Sequence, residues 1–67
     1  MPTFIITIHL DGGGAATLKE NAPSPKEIEQ LIVRELNLPD PRLRLQTGSS
    51  VLDVKKDIVV GWSIDEP

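Results

Sequence analysis

The sequence contains no cysteine and no tyrosine, and histidine, tryptophan and phenylalanine occur once each in its 67 residues. Without cysteine there is no disulfide and no thiolate that could act as a nucleophile or metal ligand, and nothing argues for an oxidising compartment. The apolar runs are too short to span a membrane, and no basic segment precedes a long apolar run as in a signal peptide. We therefore expect a cytoplasmic protein without a membrane partner.

An excess of positive charge is also missing, because ten acidic side chains outnumber seven basic ones and the net charge is −3. Domains that bind nucleic acid usually carry a clear basic excess, so we expect no nucleic acid partner. A chain this short makes one domain with a small core. We expect residues 1–67 to fold as that single domain, either monomeric or weakly dimeric.

The segment TFIITIHL, residues 3–10, has apolar side chains at every even position. This alternation predicts a half-buried strand, and Ile5 is the one apolar side chain on its outward face. The glycine run Gly12–Gly14 follows, and such a run either cradles a phosphate or turns the chain. A phosphate loop leads into a helix N-terminus, but here the run leads into ATLKE and then NAPSP, which blocks a helix; the segment AATLKENA can instead return as an antiparallel strand. The Asp-Gly pair favours a hairpin.

A helix is predicted to begin after Ser24, which is a good N-cap residue, with Pro25 at the first helical position. Glu27 completes the pattern of a capping box. Apolar residues then recur at helical spacing: Ile28, Leu31, Ile32 and Leu36. Pro39 ends the helix at or before Leu38, because the residue that precedes a proline avoids the α region.

The segment RLRLQT, residues 42–47, alternates again, with its leucines inward and Arg42 and Arg44 outward. A turn is predicted at Gly48–Ser50. From residue 52 to residue 64 six apolar side chains hold even positions, which allows one long strand or two strands broken at Lys55–Asp57. We favour the break, because Lys56 occupies a position that would otherwise face the core.

The order strand, strand, helix, strand, strand predicts an α+β fold of the ββαββ type. The economical arrangement is a four-stranded mixed sheet with one helix packed on one face. We expect the first and last strands to lie side by side in the middle of the sheet, parallel to each other, because they are the most apolar.

The chain resembles a minimal ubiquitin-like β-grasp domain over nearly its whole length. The resemblance is carried by the strand MPTFIITIHL, the glycine turn, the helix SPKEIEQLIVREL and the segment NLPDPRLRLQTG. It implies a carrier or accessory subunit of an enzyme assembly, as in ubiquitin-like and sulfur-carrier proteins. Those proteins act through a C-terminal Gly-Gly, whereas this sequence ends in SIDEP, so we expect neither conjugation nor sulfur transfer. Arg42 and Arg44 also replace the apolar patch on which ubiquitin's partners dock.

No residue constellation predicts catalysis, a cofactor or a metal. His9 is the only histidine, and an acid–base role would require a partner and a pocket. His9, Asp11 and Glu20 have no recognised zinc spacing. Trp62 is either an exposed binding anchor or a core residue, and its phase favours the core. We therefore expect that the protein is not an enzyme.

The predicted binding surface lies on the outward sheet face. Ile5 and Val59 both point outward from strands that we expect to be neighbours, and Arg42 and Arg44 flank them. An apolar centre with an arginine rim is typical of a modest protein interface, although single exposed apolar residues are ordinary. An edge strand offers a second route, because it can add a strand of a partner.

Two classes of function follow from these patterns. We favour a non-catalytic protein–protein interaction module, which is a small adaptor or a bacterial or phage-encoded inhibitor of a protein partner. The alternative is the carrier or accessory subunit that the ubiquitin-like resemblance implies.

Overall fold

The computed structural model describes residues 2–47 and 50–67 as an α+β domain with one helix among the described residues. In chain order the elements are β1 (Thr3–Leu10), β2 (Ala15–Asn21), α1 (Pro25–Asn37), β3 (Arg42–Thr47), β4 (Ser50–Lys55), a short 3-10 helix (Lys56–Ile58) and β5 (Val59–Asp65). The α+β class is therefore confirmed. In this part of the chain no helix is long and apolar enough to cross a membrane.

The strands form two sheets instead of the single four-stranded sheet that we expected. Sheet A has the order β2-β1-β5 and sheet B pairs β3 with β4, and every pairing is antiparallel. β1 and β5 are neighbours as predicted, but their predicted parallel direction is wrong, and β5 lies at the edge of sheet A and not in its middle. The 3-10 helix separates β4 from β5. β4 therefore forms a hairpin with β3, while β5 pairs with β1 and runs antiparallel to it.

The glycines after β1 turn the chain, as the hairpin interpretation predicts. The Leu10 N–H donates to the Gly14 carbonyl at 2.8 Å, and the Gly13 N–H donates to the Leu10 carbonyl at 3.3 Å. Gly12 and Gly13 have φ angles of 86° and 89°. Side chains rarely allow this left-handed backbone, whereas glycine adopts it without steric cost.

Hydrogen bonds at both ends of the hairpin define which backbone groups of β1 face β2. Leu10 bonds to Gly14 at one end, and the Ala22 N–H donates to the Pro2 carbonyl at 3.1 Å at the other. In an antiparallel ladder hydrogen-bonded and non-bonded pairs alternate, so the even residues of β1 bond to β2. The odd residues of β2 therefore point their backbone groups away from β1.

By the same alternation, the odd residues of β1 bond to β5. The Asp11 N–H continues this series just past the strand, because it donates to the Ile58 carbonyl at 2.7 Å. Gly61, Ser63 and Asp65 of β5 thus face β1. Trp62 and Ile64 point their N–H and C=O groups away from β1.

The core lies between the two sheets and the helix, and it follows the predicted alternation. Its buried members are Phe4, Ile6, Ile8, Leu18, Ala22, Ile28, Ile32, Leu43, Leu45 and Leu52. Leu10, Ala16, Trp62 and Ile64 pack against them while partly exposed. Trp62 is therefore on the core side, as its phase predicts.

The helix begins and ends where the sequence predicts. Ser24 occupies the N-cap position and Pro25 the first turn, but no side chain makes a capping hydrogen bond to the backbone. The capping box with Glu27 is therefore not formed. The last helical residue is Asn37, before Pro39.

Lys56 supports the other end of the helix. Its Nζ donates to the Leu38 carbonyl at 2.5 Å, next to the free carbonyls that end every helix. A positive charge at this end also interacts favourably with the helix dipole. The predicted break at Lys55–Asp57 is confirmed by the 3-10 helix, and it frees Lys56 from the core position that a continuous strand would have given it.

A β-bulge makes the predicted outward position of Val59 wrong. His9 pairs with Gly61, but Leu10 pairs with Val59, so Val60 is an extra residue in β5. The extra residue shifts the alternation by one position. Val59 consequently packs against the core, and Val60 becomes the exposed residue.

The predicted turn at Gly48–Ser50 falls partly outside the described residues, which do not include residues 48 and 49. Ser50 is the first residue of β4 and pairs with Thr47 of β3. The third and fourth strands are therefore antiparallel neighbours, with Leu45 opposite Leu52 on the core side.

Candidate functional site

The four residues of the predicted binding surface do not form one patch. Ile5 lies on the outward face of sheet A and is half-buried. Arg42 and Arg44 are exposed as predicted, but they belong to β3 in sheet B, which is not a neighbour of β1 or β5 in the sheets. Val59 faces the core. The outward face of sheet A therefore lacks the predicted arginine rim.

Ile5 instead borders a groove between β2 of sheet A and β4 of sheet B. The groove encloses about 580 Å³ and is lined by Ile5, Thr17, Leu18, Lys19, Ser50 and Val51. Val51 is 57% exposed, so its side chain contributes little to the core. Sequence reasoning did not single out Val51, although its odd position beside the inward Leu52 could have indicated it.

One hydrogen bond ties the two sheets together beside this groove. The Thr47 hydroxyl donates to the Lys19 carbonyl at 3.1 Å. Lys19 is an odd residue of β2, so its backbone groups point away from β1 and toward sheet B. The groove is therefore bounded by backbone from both sheets, and the Lys19 side chain is exposed at its wall.

The two arginines share one carboxylate across the strands of sheet B. The Asp53 Oδ1 accepts from Arg42 Nε at 2.7 Å, and Oδ2 accepts from Arg44 Nη2 at 3.3 Å. The hydrogen bond from Arg42 is the main reason that the pKa of Asp53 lies below its ordinary value. Because all three groups are exposed, the pairs add little to stability. They hold the guanidinium groups in place on the surface.

The outward face of sheet B is positively charged although the chain is negative. Arg42, Arg44 and Lys55 contribute +3 and Asp53 contributes −1, which gives +2 for this face. Since the whole chain carries −3, the remaining residues sum to −5. The cations of sheet B, with Lys19 across the groove, therefore stand out from an acidic molecule.

His9 lies on the exposed outward face of β1, and its Nε2 is 3.2 Å from the Ser63 hydroxyl. In the described part of the chain no carboxylate hydrogen-bonds to the ring, so the pair lacks the third group that orients a catalytic base. Among the described residues no three His, Asp or Glu side chains group as a metal site would require. The absence of a metal, a cofactor and catalysis stays a prediction.

The inward position of Glu20 is a feature that sequence reasoning missed. It follows Leu18 on the inward side of β2, opposite Phe4, and it lines a cleft of about 240 Å³ that also includes Glu27 and Leu31. Burial raises the pKa of the Glu20 carboxyl. A charged side chain that points inward from an edge strand is one way in which proteins discourage pairing with another strand.

Comparisons of the chain with protein-family models, with curated proteins and with solved structures gave no match. The likeness to ubiquitin-like domains stays a prediction.

Proposed function

We propose that the protein is a non-catalytic protein–protein interaction module, a small adaptor or inhibitor, that binds its partner over the groove between the sheets. The observation that carries this proposal is the combination of a groove whose lining includes the apolar Ile5 and Val51 among polar side chains and a cationic face beside it. We call the groove together with Arg42, Arg44 and Lys55 the outer surface.

The apolar part of the outer surface supplies binding energy. Ile5 and Val51 come from different sheets yet line the same groove, which distinguishes them from isolated exposed apolar residues. Because Ile5 is already half-buried and Val51 is 57% exposed, covering what remains of both contributes about 1–2 kcal/mol at the usual value per unit of apolar area. A partner with one apolar side chain in the groove would cover both.

The charged part of the outer surface selects the partner. Arginine is enriched in interfaces and pairs readily with carboxylates. Charge complementarity speeds association and excludes partners of like charge more than it raises affinity. A positive face on a negative protein thus favours a partner whose contact region carries acidic side chains around an apolar centre.

The test compares two double variants with matched charge changes. Val51→Asp with Arg44→Glu alters the outer surface, and Gln30→Asp with Arg34→Glu alters exposed positions of α1 by the same charge. Circular dichroism first establishes that both variants fold. Affinity capture from the native host with wild-type protein then supplies the partner, and titration calorimetry with that partner measures each variant.

We expect the helix variant to bind like wild type and the outer-surface variant to bind at least tenfold more weakly, which corresponds to about 1.4 kcal/mol. Equal binding by the outer-surface variant would place the interface elsewhere. Loss of binding in the helix variant alone would move it to α1.

A further inference from the structure

One cross-strand pair of sheet B places two positive charges directly opposite each other. Arg42, at the start of β3, is paired with Lys55, at the end of β4, and both side chains are exposed. The neighbouring pair is hydrogen-bonded, because the Lys56 N–H donates to the Pro41 carbonyl at 2.9 Å. Bonded and non-bonded pairs alternate, so Arg42 and Lys55 form a non-bonded pair, in which side chains lie closer together. Like charges in this position destabilise a sheet.

The carboxylates near this pair do not relieve the repulsion at Lys55. Asp53 accepts a hydrogen bond from the Arg42 Nε at 2.7 Å, and Asp40 accepts one from the Arg42 backbone N–H at 2.9 Å. Both bonds are made to Arg42. Within residues 2–47 and 50–67 neither Lys55 nor Asp57 takes part in an ion pair. The ammonium group of Lys55 is therefore left facing a cation.

The two cations border a cleft beside the 3-10 helix. The cleft encloses about 660 Å³ and is lined by Pro41, Arg42, Lys55, Lys56 and Asp57. Arg42 bonds to Asp53 through its Nε, which leaves the hydrogens on its two Nη atoms for a ligand. Lys56 bonds to the Leu38 carbonyl, and its ammonium group keeps further donors. Three cationic side chains therefore offer N–H donors at one cleft.

The region around the cleft is positive even when every carboxylate named above is counted. Arg42, Arg44, Lys55 and Lys56 contribute +4, and Asp40, Asp53 and Asp57 contribute −3, which gives +1. The whole chain carries −3. A positive region on a negative protein attracts anions to itself.

We propose that this cleft binds a phosphoryl group through Arg42, Lys55 and Lys56. An oxyanion between Arg42 and Lys55 replaces their mutual repulsion with two attractive contacts. A phosphoryl group has three strong acceptor oxygens, one for each cation, whereas a carboxylate has two. Charge-assisted hydrogen bonds from guanidinium and ammonium groups are the usual means by which proteins hold phosphate.

This inference goes beyond the proposed function and does not rest on it. The groove residues Ser50 and Val51 lie at the start of β4, and Lys55 lies at its end. The phosphoryl group comes either as free inorganic phosphate or on a phosphorylated side chain of a protein, and its chemistry at the cleft is the same. Because the test uses small ions, its failure would leave the partner titration at the groove unaffected.

NMR titration of isotope-labelled protein tests the site with inorganic phosphate at constant ionic strength. Lys55→Met removes a cation from the cleft, and Lys26→Met removes the same charge from an exposed position of α1. Lys55→Met also removes the like-charge pair, so we expect it to fold, and circular dichroism checks this. A titration with acetate compares a carboxylate with phosphate. A titration with phosphoserine blocked at both termini compares a phosphorylated side chain with the free ion.

We expect phosphate to shift the amide signals of residues 41–42 and 55–57 until they saturate, with a Kd of about 1 mM or below. Lys26→Met binds like wild type, and Lys55→Met raises the Kd about tenfold because one charge-assisted contact is lost. Tighter binding of blocked phosphoserine than of phosphate supports a phosphorylated protein as the source, and weaker binding supports the free ion. Shifts that do not saturate, equal Kd values for the two variants, or acetate binding as tight as phosphate binding would overturn the proposal.

Discussion

Val60 changes where its neighbouring side chains in β5 point. As the extra residue of the bulge, it turns Val59 toward the core while Trp62 and Ile64 keep their inward phase. The even spacing of apolar residues predicts Trp62 and Ile64 correctly. It cannot reveal the bulge, because a bulge is defined by the register against β1 and leaves no mark in the spacing itself.

Because of the bulge, we expect the two adjacent valines to differ in how much their replacement lowers the free energy of unfolding. Val59→Ala removes side-chain contacts with the core and is expected to lower the free energy of unfolding by about 1 kcal/mol. Val60→Ala changes an exposed position and is expected to stay within about 0.5 kcal/mol of wild type. Urea unfolding measures both. A larger cost at Val60 would contradict the bulge.

We expect that replacing Glu20 stabilises the fold and that the gain in the free energy of unfolding depends on pH. Burial raises its pKa above the ordinary value of 4.5, so the folded state binds the proton more tightly than the unfolded chain. The charged carboxylate therefore opposes folding above the raised pKa, and protonation relieves this cost as the pH falls.

Glu20→Gln is accordingly expected to raise the free energy of unfolding at pH 7 by up to about 0.5 kcal/mol. The gain should shrink as the pH drops through the raised pKa and vanish below about pH 4, where glutamate is protonated in both states. Urea unfolding from pH 3 to pH 7 tests this. A gain that grows toward low pH would show that burial does not oppose the charged form.

At the scale of elements, the two ends of α1 are supported differently from what the sequence suggests. The residue pattern at the start predicts a capping box, but the Ser24 side chain makes no capping hydrogen bond. The end has no capping signal of its own, yet Lys56 reaches it from a distant part of the chain. Local patterns locate helix ends well, whereas long-range contacts to those ends are invisible in them.

Because only the end of α1 has a side-chain hydrogen bond, we expect a substitution there to lower stability more than one at the start. Lys56→Met keeps the aliphatic stem but loses the bond to Leu38 and the charge near the helix end, and it should cost about 0.5–1 kcal/mol. Ser24→Ala removes no capping hydrogen bond, so it should cost less than Lys56→Met and less than the roughly 1 kcal/mol of a bonded N-cap. Thermal unfolding of both variants ranks them. The reverse order would show that Ser24 caps the helix in solution.

The sequence predicts individual elements better than their pairing. Alternation and turn residues identified β1, β2, α1, β3 and the break before β5, because each of these depends on neighbouring residues. The partner and direction of β5 depend on contacts far apart in the chain, which the alternation of a single strand does not encode. The division into two sheets was missed for the same reason.

At the scale of the whole molecule, the outer surface combines features that the sequence showed separately. The alternation placed Ile5, Arg42 and Arg44 on outward faces correctly. It did not show that the arginines lie in sheet B, or that Val51 lines the groove with Ile5. The charge difference between the face of sheet B and the rest of the chain also appears only once the strands are paired.

The antiparallel pairing of β5 with β1 is the central claim, because it sets the core side of β5, separates the arginines from sheet A and opens the β5 edge. Nuclear Overhauser effects between Hα protons in isotope-labelled protein test it most directly. In the non-hydrogen-bonded pairs Ile6–Ile64 and Ile8–Trp62 the Cα atoms are about 4.5 Å apart. We predict strong Hα–Hα effects within both pairs. Their absence, with β5 contacts that ascend along β1 in the same direction, would contradict the account.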